Sequence, residues 1–338
     1  MCRLLIGYQI CQITHLYKKA MTNRRNFIKN ASIFSVGALM AGKSGQVEAS
    51  NLSTASASVN AKKRIGLQIY SLGRELGEDV PGGLKKVAQM GYTNIELAGY
   101  NDGKIGQLSM ADFKKMADDA SLEIVSSHLN PPVQAYSERN KNQIMEFWKK
   151  ATDQHAAIGV KLIIQPGQPS TRNTEEVAYV GEIFNEAGKI AKAGGLSFGY
   201  HNHEGEFATV IPGGVESFSG RRYDGIKTPG KEIIYDGMLK NTDPSLVFFE
   251  LDVYWCVMGQ KDPIEYMKKY ADRIKVLHIK DKAVLGQSGM MNFPKIYEQA
   301  YTNGIKEFFV ELEGVTGMTQ FEGVKGCADY LLAASFKK

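Results

Sequence analysis

The sequence contains few cysteines, and their positions exclude two kinds of site. Of the four cysteines in 338 residues, Cys2 and Cys11 precede the region in which regular structure is expected, which leaves Cys256 and Cys327. Two cysteines this far apart are too few for a disulfide scaffold or a cysteine-based zinc site. We therefore expect free, buried thiols at both positions.

Two further absences concern membranes and nucleotides. After residue 50 there is no run of about 18 or more apolar residues, so no membrane-spanning segment is expected in the folded part of the chain. No G-x-G-x-x-G motif follows the first predicted strand, and residues 64–338 contain no G-x-x-x-x-G-K-[ST] motif. Because these glycine patterns bind phosphates in nucleotide-binding folds, their absence argues against a doubly wound nucleotide-binding sheet.

The first 49 residues have the pattern of an export signal. A twin-arginine segment at residues 23–29 (NRRNFIK) is followed by an apolar run at residues 31–41 and then by small residues. The order basic, apolar, small is typical of a signal peptide, and the paired arginines favour the twin-arginine route. We therefore expect a signal peptide over residues 1–49 and export to the periplasm. Met21 is an alternative start, which would place residues 1–20 outside the protein.

The excess of positive charge belongs to this predicted signal. The chain has a net charge of +5, and residues 1–49 contain seven Lys/Arg and one Glu. Removing them leaves a charge near −1, so the remaining chain lacks the basic surface of a nucleic-acid-binding protein, and no nucleic-acid partner is expected. Residues 50–63 are rich in Ser and Ala and are expected to be a linker. Residues 64–338 are expected to form one catalytic domain.

From residue 64 onward, short β-branched and apolar segments alternate with helix-like segments. The eight predicted strands begin at Ile65, Thr93, Glu123, Lys161, Ser197, Val247, Lys275 and Glu307. This alternation predicts a parallel sheet, and eight such units fit an α/β fold of the (β/α)8 TIM-barrel type. The long interval after the fifth predicted strand contains Gly213, Arg221 and Pro229, and is interpreted as a loop over the mouth of the active site.

Side chains suited to metal binding or acid–base chemistry stand at the predicted strand ends. They are Glu96, His128, Gln165, His201, His203, Glu250, Asp252, His278, Lys280, Asp281, Glu311 and Glu313. A TIM barrel carries its reactive groups at these ends. Four of the six histidines of the chain are in this set, whereas His155 falls within a predicted helix and is interpreted as a packing residue. Imidazole mixed with carboxylate suits Mn²⁺, Zn²⁺, Co²⁺ or Fe²⁺ better than Mg²⁺, so one divalent metal is predicted.

Four short sequence motifs at these strand ends resemble those of a known family. They are YHNH at 200–203, ELD at 250–252, HIKD at 278–281 and FVE at 309–311. The chain from residue 64 to about 335 resembles the xylose isomerase-like TIM-barrel superfamily of sugar phosphate isomerases and epimerases, which includes ketose 3-epimerases, inosose dehydratases and endonuclease IV. The metal ligands implied by this resemblance are His201, Asp252, His278 and Glu311.

The resemblance also implies a reaction on a small-molecule carbohydrate. A metal-bound keto-sugar would lose the proton beside its carbonyl and form an enediolate, as in a sugar isomerase or epimerase. Glu311 is the candidate base, His203 the second proton carrier and Lys280 the partner of a hydroxyl or an oxyanion. The candidate substrate-binding residues are Glu96, His128, Gln165, Glu250 and Trp255.

His201 departs from the family pattern, because epimerases of the family usually have Glu there and use two facing glutamates. Two alternatives therefore stay open. An exported lyase or hydrolase would cleave 3-keto-glycosides, or dehydrate a sugar, by β-elimination. A non-catalytic barrel would only bind a sugar. A nuclease like endonuclease IV is disfavoured, because it needs a trinuclear zinc cluster and a basic groove. Export favours a substrate without phosphate, since sugar phosphates are chiefly cytoplasmic.

Overall fold

A closed barrel of eight parallel strands forms the centre of the protein in the computed structural model, which describes residues 63–217 and 231–338. The strands are β1 (Gly66–Gln68), β2 (Asn94–Leu97), β3 (Glu123–His128), β4 (Leu162–Gln165), β5 (Ser197–His201), β6 (Val247–Asp252), β7 (Ile274–Ile279) and β8 (Glu307–Val310). Each strand pairs with the next along the chain, and β8 pairs with β1. The predicted TIM barrel is confirmed, and each predicted strand begins within one residue of the observed one.

Ten α-helices lie within the described ranges. They are α1 (Gly73–Glu78), α2 (Val80–Gln89), α3 (Met110–Asp119), α4 (Lys141–Ala157), α5 (Thr174–Ala193), α6 (Ile234–Lys240), α7 (Val253–Met258), α8 (Pro263–Lys269), α9 (Phe293–Thr302) and α10 (Gln320–Ala333). The helices longer than seven residues, and the seven-residue α8, lie in the helix-like segments expected between the predicted strands. The short helices α1, α6 and α7 were not predicted, because none of them shows a clear 3.6-residue apolar period.

Side-chain caps explain where several helices begin. The Oδ1 of Asp79 accepts a hydrogen bond from the backbone N–H of Gly82 at 3.0 Å, at the start of α2. Thr319 and Glu322 form a capping box at the start of α10, in which each side chain accepts from the other residue's backbone N–H. Such caps satisfy N–H groups that have no partner inside the helix.

Two small antiparallel sheets lie in the connections after β2 and β5. The first consists of Tyr100–Asn101, Lys104–Ile105 and Leu108–Ser109, and the second of Thr209–Ile211, Gly214–Ser217 and Glu232–Ile233. The interval after β5, predicted to be a loop, therefore contains three short strands and α6. Arg221 and Pro229 lie outside the described residues, so the interpretation of this interval as a cover over the mouth stays a prediction.

The barrel interior has an apolar lower part below a polar upper part. Val125, Ile164, Phe248, Val276 and Phe309 form a buried cluster of their own, separate from the larger core between strands and helices. Phe248, Val276 and Phe309 each stand two residues before a polar residue. These polar residues are Glu250, His278 and Glu311, in the same order. Because side chains alternate along a strand, each apolar residue points to the same side as its polar neighbour. The polar residues therefore lie on an apolar floor.

The predicted signal peptide at residues 1–49 lies outside the described residues, as does the predicted linker except for Lys63. In the part of the chain that the structure describes, no helix combines the length and the hydropathy needed to cross a membrane. Cys256 and Cys327 are free and buried, as the sequence predicts.

Candidate functional site

The barrel brings the predicted metal ligands together at the carboxyl ends of four neighbouring strands. The ligand set consists of His201 at the end of β5, Asp252 at the end of β6, His278 on β7 and Glu311 directly after β8. One donor atom from each lies within 4.8 Å of the others, and all four residues are buried. A cluster of this size and composition has the donors that a first-row divalent metal requires.

Two atoms of the ligand set have no hydrogen-bond partner among the described residues. The Oδ1 of Asp252 accepts from the backbone N–H of Trp255 at 2.8 Å and caps α7, whereas its Oδ2 is buried and unpaired. The Nδ1 of His278 is also buried and unpaired, at 4.0 Å from Asp252 Oδ2 and 3.5 Å from Glu311 Oε2. Leaving such atoms without a partner is costly, and a cation held between them would satisfy both. The residues present therefore fit a metal.

Beneath the ligand set, Glu96, His128 and Glu250 form an inner layer. The Oε1 of Glu96 lies 2.7 Å from His278 Nε2 and 3.0 Å from His128 Nε2. The Oε2 of Glu250 lies 2.8 Å from His128 Nε2, 3.2 Å from His201 Nδ1 and 3.3 Å from His278 Nε2. Each imidazole of the ligand set thus has one nitrogen on a buried carboxylate, which is the arrangement that orients metal-ligating histidines.

The charged groups of the inner layer shift one another's pKa values. Burial and the charge of Glu96 act to raise the pKa of Glu250, but the neighbouring imidazoles lower this pKa to about 2. Burial acts to lower the pKa of His128, but Glu96 and Glu250 raise it to about 9. Opposite charges in a buried region of low dielectric constant stabilise each other in this way.

A second possible donor group, made of His128, His201, Glu250 and His278, shares two histidines with the ligand set. Its single carboxylate, Glu250, already contacts all three imidazoles. The ligand set retains unpaired donor atoms, and burial raises the pKa of Asp252 to about 7 in spite of nearby Lys280. Since a divalent cation compensates the burial of a carboxylate, the ligand set fits a metal better than the second group does.

Lys280 and Trp255 line the outer side of the ligand set. The Nζ of Lys280 lies 3.5 Å from Glu311 Oε2, 3.1 Å from Glu313 Oε1 and 5.5 Å from the centre of the Trp255 ring. Burial acts to lower the pKa of Lys280, but the carboxylates around it raise this pKa and keep the ammonium charged. The Nε1–H of Trp255 is buried without a partner among the described residues, so it can donate to a hydroxyl group.

His203 stands beside the same tryptophan, and its position depends on a residue that was not predicted. Its ring centre lies 5.8 Å from that of Trp255 and 5.0 Å from that of His201, and burial lowers the pKa of His203. The fully buried Glu206 accepts from the His203 backbone N–H at 3.1 Å and from the Tyr200 hydroxyl at 2.5 Å. Glu206 lies in a three-residue 3-10 helix (Gly205–Phe207), which is too short for any periodicity in the sequence to indicate its burial.

The five residues expected to bind substrate lie in different environments. Trp255 is partly buried beside Lys280, and His128 is partly buried against the inner carboxylates. Glu96 and Glu250 lie behind the histidines with no exposed surface. Gln165 accepts from Tyr136 and donates to the carbonyl of Gly167, so both ends of its amide hold the chain in place. The packing interpretation of His155 agrees with its contacts to Ala151 O and Ser127 Oγ on the outer side of β3.

Comparison with known proteins places this geometry in a family. Residues 84–320 match the family described as xylose isomerase-like TIM barrel. The chain belongs to this family. The crystal structure of a sugar phosphate isomerase/epimerase from Parabacteroides distasonis is 52% identical, with a TM-score of 0.76, and the match covers 82% of this chain and 100% of that chain.

Two more distant proteins are also similar to this chain. An inosose dehydratase from Clostridium beijerinckii is 24% identical over 268 residues, which cover 73% of this chain and 80% of that protein. The D-psicose 3-epimerase of Clostridium cellulolyticum H10 is 15% identical with a TM-score of 0.58, and covers 78% of this chain and 89% of that one. At this identity the second likeness concerns the fold alone.

Proposed function

We propose that the protein is a sugar-modifying enzyme that binds one divalent metal, forms the enediolate of a keto-sugar and acts as an isomerase or epimerase. The observation that carries the proposal is the ligand set, in which both imidazoles contact buried carboxylates while His278 Nδ1 and Asp252 Oδ2 are buried without a partner. The proposed metal is Mn²⁺, Zn²⁺, Co²⁺ or Fe²⁺, because two imidazoles disfavour Mg²⁺. The sugar phosphate isomerase/epimerase relative supports the substrate class.

Each side chain of the site has its own role in the proposed reaction. A metal held by the ligand set would polarise the carbonyl and a neighbouring hydroxyl of the sugar. Glu311 takes the proton from the carbon beside the carbonyl, and Lys280, 3.5 Å away, stabilises the negative charge that develops on oxygen. His203 carries the second proton, since its lowered pKa leaves the imidazole neutral and able to exchange one. Trp255 donates its N–H to a sugar hydroxyl.

β-Elimination is the second candidate, and His201 is the observation that favours it. A two-base epimerase needs acid–base groups on both faces of the carbon, whereas His201 is buried and held by Glu250. Burial and the charge of His278 keep the pKa of His201 well below its usual value. In elimination, Glu311 removes the α-proton, the electron pair forms a C=C bond and the β C–O bond breaks. The leaving oxygen takes up the proton from Glu311, which releases an alcohol or water. The inosose dehydratase relatives are consistent with this outcome.

Elemental analysis of the purified protein tests the proposal. We expect about one equivalent of Mn, Zn, Co or Fe, lost in both Asp252→Ala and His278→Ala. His155→Gln is the matched control, because His155 is equally buried but lies outside the site. Keto-sugars incubated in D₂O with the loaded protein should exchange the α-proton. Release of an alcohol from 3-keto-glycosides, with no exchange into free ketoses, would select elimination.

Absence of metal binding would contradict the enzymatic proposal. If the protein takes up none of the four metals, the enediolate reaction is excluded and the non-catalytic sugar-binding barrel becomes the better description. In that case a substitution at Glu311 leaves sugar affinity unchanged.

We further propose export through the twin-arginine route and a substrate without phosphate. The support is the signal pattern of residues 1–49. A folded reporter fused to these residues should reach the periplasm, and a fusion with both Arg24 and Arg25 replaced by Lys should not. Retention of both fusions in the cytoplasm would contradict the proposal.

A further inference from the structure

A separate cleft opens at the same end of the barrel as the ligand set. It has a volume of about 480 Å³ and lies beside the carboxyl ends of β1 and β2. Ile69 and Tyr70 follow β1, Ala98 follows β2, and Glu313 follows β8 by three residues. We call it the side cleft. Its size is that of a small-molecule site, and none of the roles assigned above uses it.

The walls of the side cleft are mostly apolar. The apolar lining residues are Ile69, Leu76, Val80, Ala98, Ile105 and Phe113. The charged and polar lining residues are Arg74, Glu313 and Gln320, so the cleft offers few hydrogen bonds for its size to the many hydroxyl groups of a sugar. An apolar group would gain free energy by leaving water, in proportion to the area it buries.

Tyr70 extends this apolar surface into the solvent. It lines the side cleft, and 60% of its surface is accessible. An exposed tyrosine ring next to an apolar cleft offers a flat face to another ring. The shape and chemistry of the cleft therefore favour a ring-shaped apolar group.

Two ion pairs connect the side cleft with the chemistry of the ligand set. Glu313 lines the cleft, and its Oε1 lies 3.1 Å from Lys280 Nζ. The same Nζ lies 3.5 Å from Oε2 of Glu311, the proposed base. Lys280 thus contacts both a residue that lines the cleft and the proposed base, so the cleft and the proposed reaction centre are neighbours.

We propose that the side cleft binds the apolar, ring-bearing substituent of a glycoside whose keto-sugar lies at the ligand set. This inference rests on the proposed function and narrows its substrate class from free sugars to glycosides with an apolar aglycone. One molecule occupies both places, with polar contacts for the sugar and an apolar surface for the substituent.

The test compares two ligands that differ in one group, methyl 3-keto-β-glucopyranoside and phenyl 3-keto-β-glucopyranoside, on the full-length metal-loaded protein. We expect the phenyl compound to bind about tenfold more tightly, because its ring leaves water. It should also shift the methyl NMR signals of Ile69 and Ile105, which line the cleft.

Three variants locate the effect. Ala98→Leu fills the side cleft and Tyr70→Ala removes its exposed ring, so both should bring the affinity ratio towards one while the methyl compound binds as before. Tyr70→Phe keeps the ring and should keep the ratio. Tyr70 is exposed, so its replacement leaves the core intact.

Two results would overturn the proposal: equal affinity of the two compounds for the natural protein, or a ratio that both Ala98→Leu and Tyr70→Ala leave unchanged. A failure of the proposed function has a different signature. Neither compound would then exchange its α-proton in D₂O, although the phenyl compound would still shift the signals of Ile69 and Ile105.

Discussion

The Oε1 of Glu96 lies 2.7 Å from the Nε2 of His278, so the other nitrogen of this imidazole faces Asp252 and Glu311. Glu96 stands on β2 and His278 on β7, and only closure of the barrel brings them together. A carboxylate in this position fixes the tautomer and the orientation of a metal-ligating histidine and raises its basicity.

Replacing this carboxylate should weaken metal binding without abolishing it. For Glu96→Gln we expect about 10- to 100-fold lower metal affinity, because the amide still accepts a hydrogen bond but carries no charge. Competition with a chelator of known affinity measures the change. Glu123→Gln is the control, since Glu123 stands exposed at the opposite end of its strand. Equal affinities in the two variants would show that Glu96 does not act on His278.

Lys280 should act on the rate and not on substrate affinity. If it stabilises the charge that develops on the sugar oxygen, Lys280→Met lowers kcat by about 100- to 10,000-fold with little change in KM. Proton exchange into keto-sugars under saturating and limiting substrate separates the two constants. Lys282→Met changes an exposed lysine two residues further on and should leave both constants unchanged. A rise in KM at constant kcat would assign Lys280 to ground-state binding.

His155 should make the fold sensitive to acid. Burial lowers the pKa of His155 to about 4, from an ordinary value of 6.5. Between these pH values the unfolded chain binds the proton and the folded chain does not, so stability falls as the pH drops from about 6.5 to about 4. From pH 7 to pH 5 this residue alone costs about 2 kcal/mol.

Urea unfolding at the two pH values measures this loss. His155→Gln removes the titrating group and should lose less stability on acidification than the natural protein does. Lys149→Gln, at an exposed position of the same helix, should keep the natural pH dependence. An equal loss in all three proteins would mean that His155 does not titrate in this range.

Gly199 on β5 should not tolerate a larger residue. A Cβ placed there would lie 2.5 Å from the ring of Phe248, in the apolar floor of the barrel. We expect Gly199→Ala to lower the free energy of unfolding by about 1–3 kcal/mol, because a packed interior cannot absorb an added methyl group. At Gly77 in α1 no heavy atom lies within 4 Å of the added Cβ, so Gly77→Ala should be neutral or slightly stabilising. Chemical denaturation of both variants gives the comparison.

The sequence by itself determined the barrel and the set of residues from which its site is built. Parallel strands buried on both faces have a local apolar signal, and the helices between them have their own period, so both are visible without tertiary contacts. The polar residue that ends an apolar strand is equally local. His201, Asp252, His278 and Glu311 could therefore be named from their places at strand ends, together with their resemblance to a family.

Only the tertiary structure decided which of these side chains lies above which. Glu250 and Asp252 point the same way along β6, and alternation cannot tell them apart. The register of the strands distinguishes the two carboxylates. Glu250 is paired with His201 on β5, whereas Asp252, two residues later, is paired with His278 on β7. Closure of the barrel also brings Glu96 to His278. The hydrogen bond from the His203 backbone N–H to Glu206 depends on the short 3-10 helix that carries Glu206. Such relations join distant parts of the chain, and no local pattern in the sequence contains them.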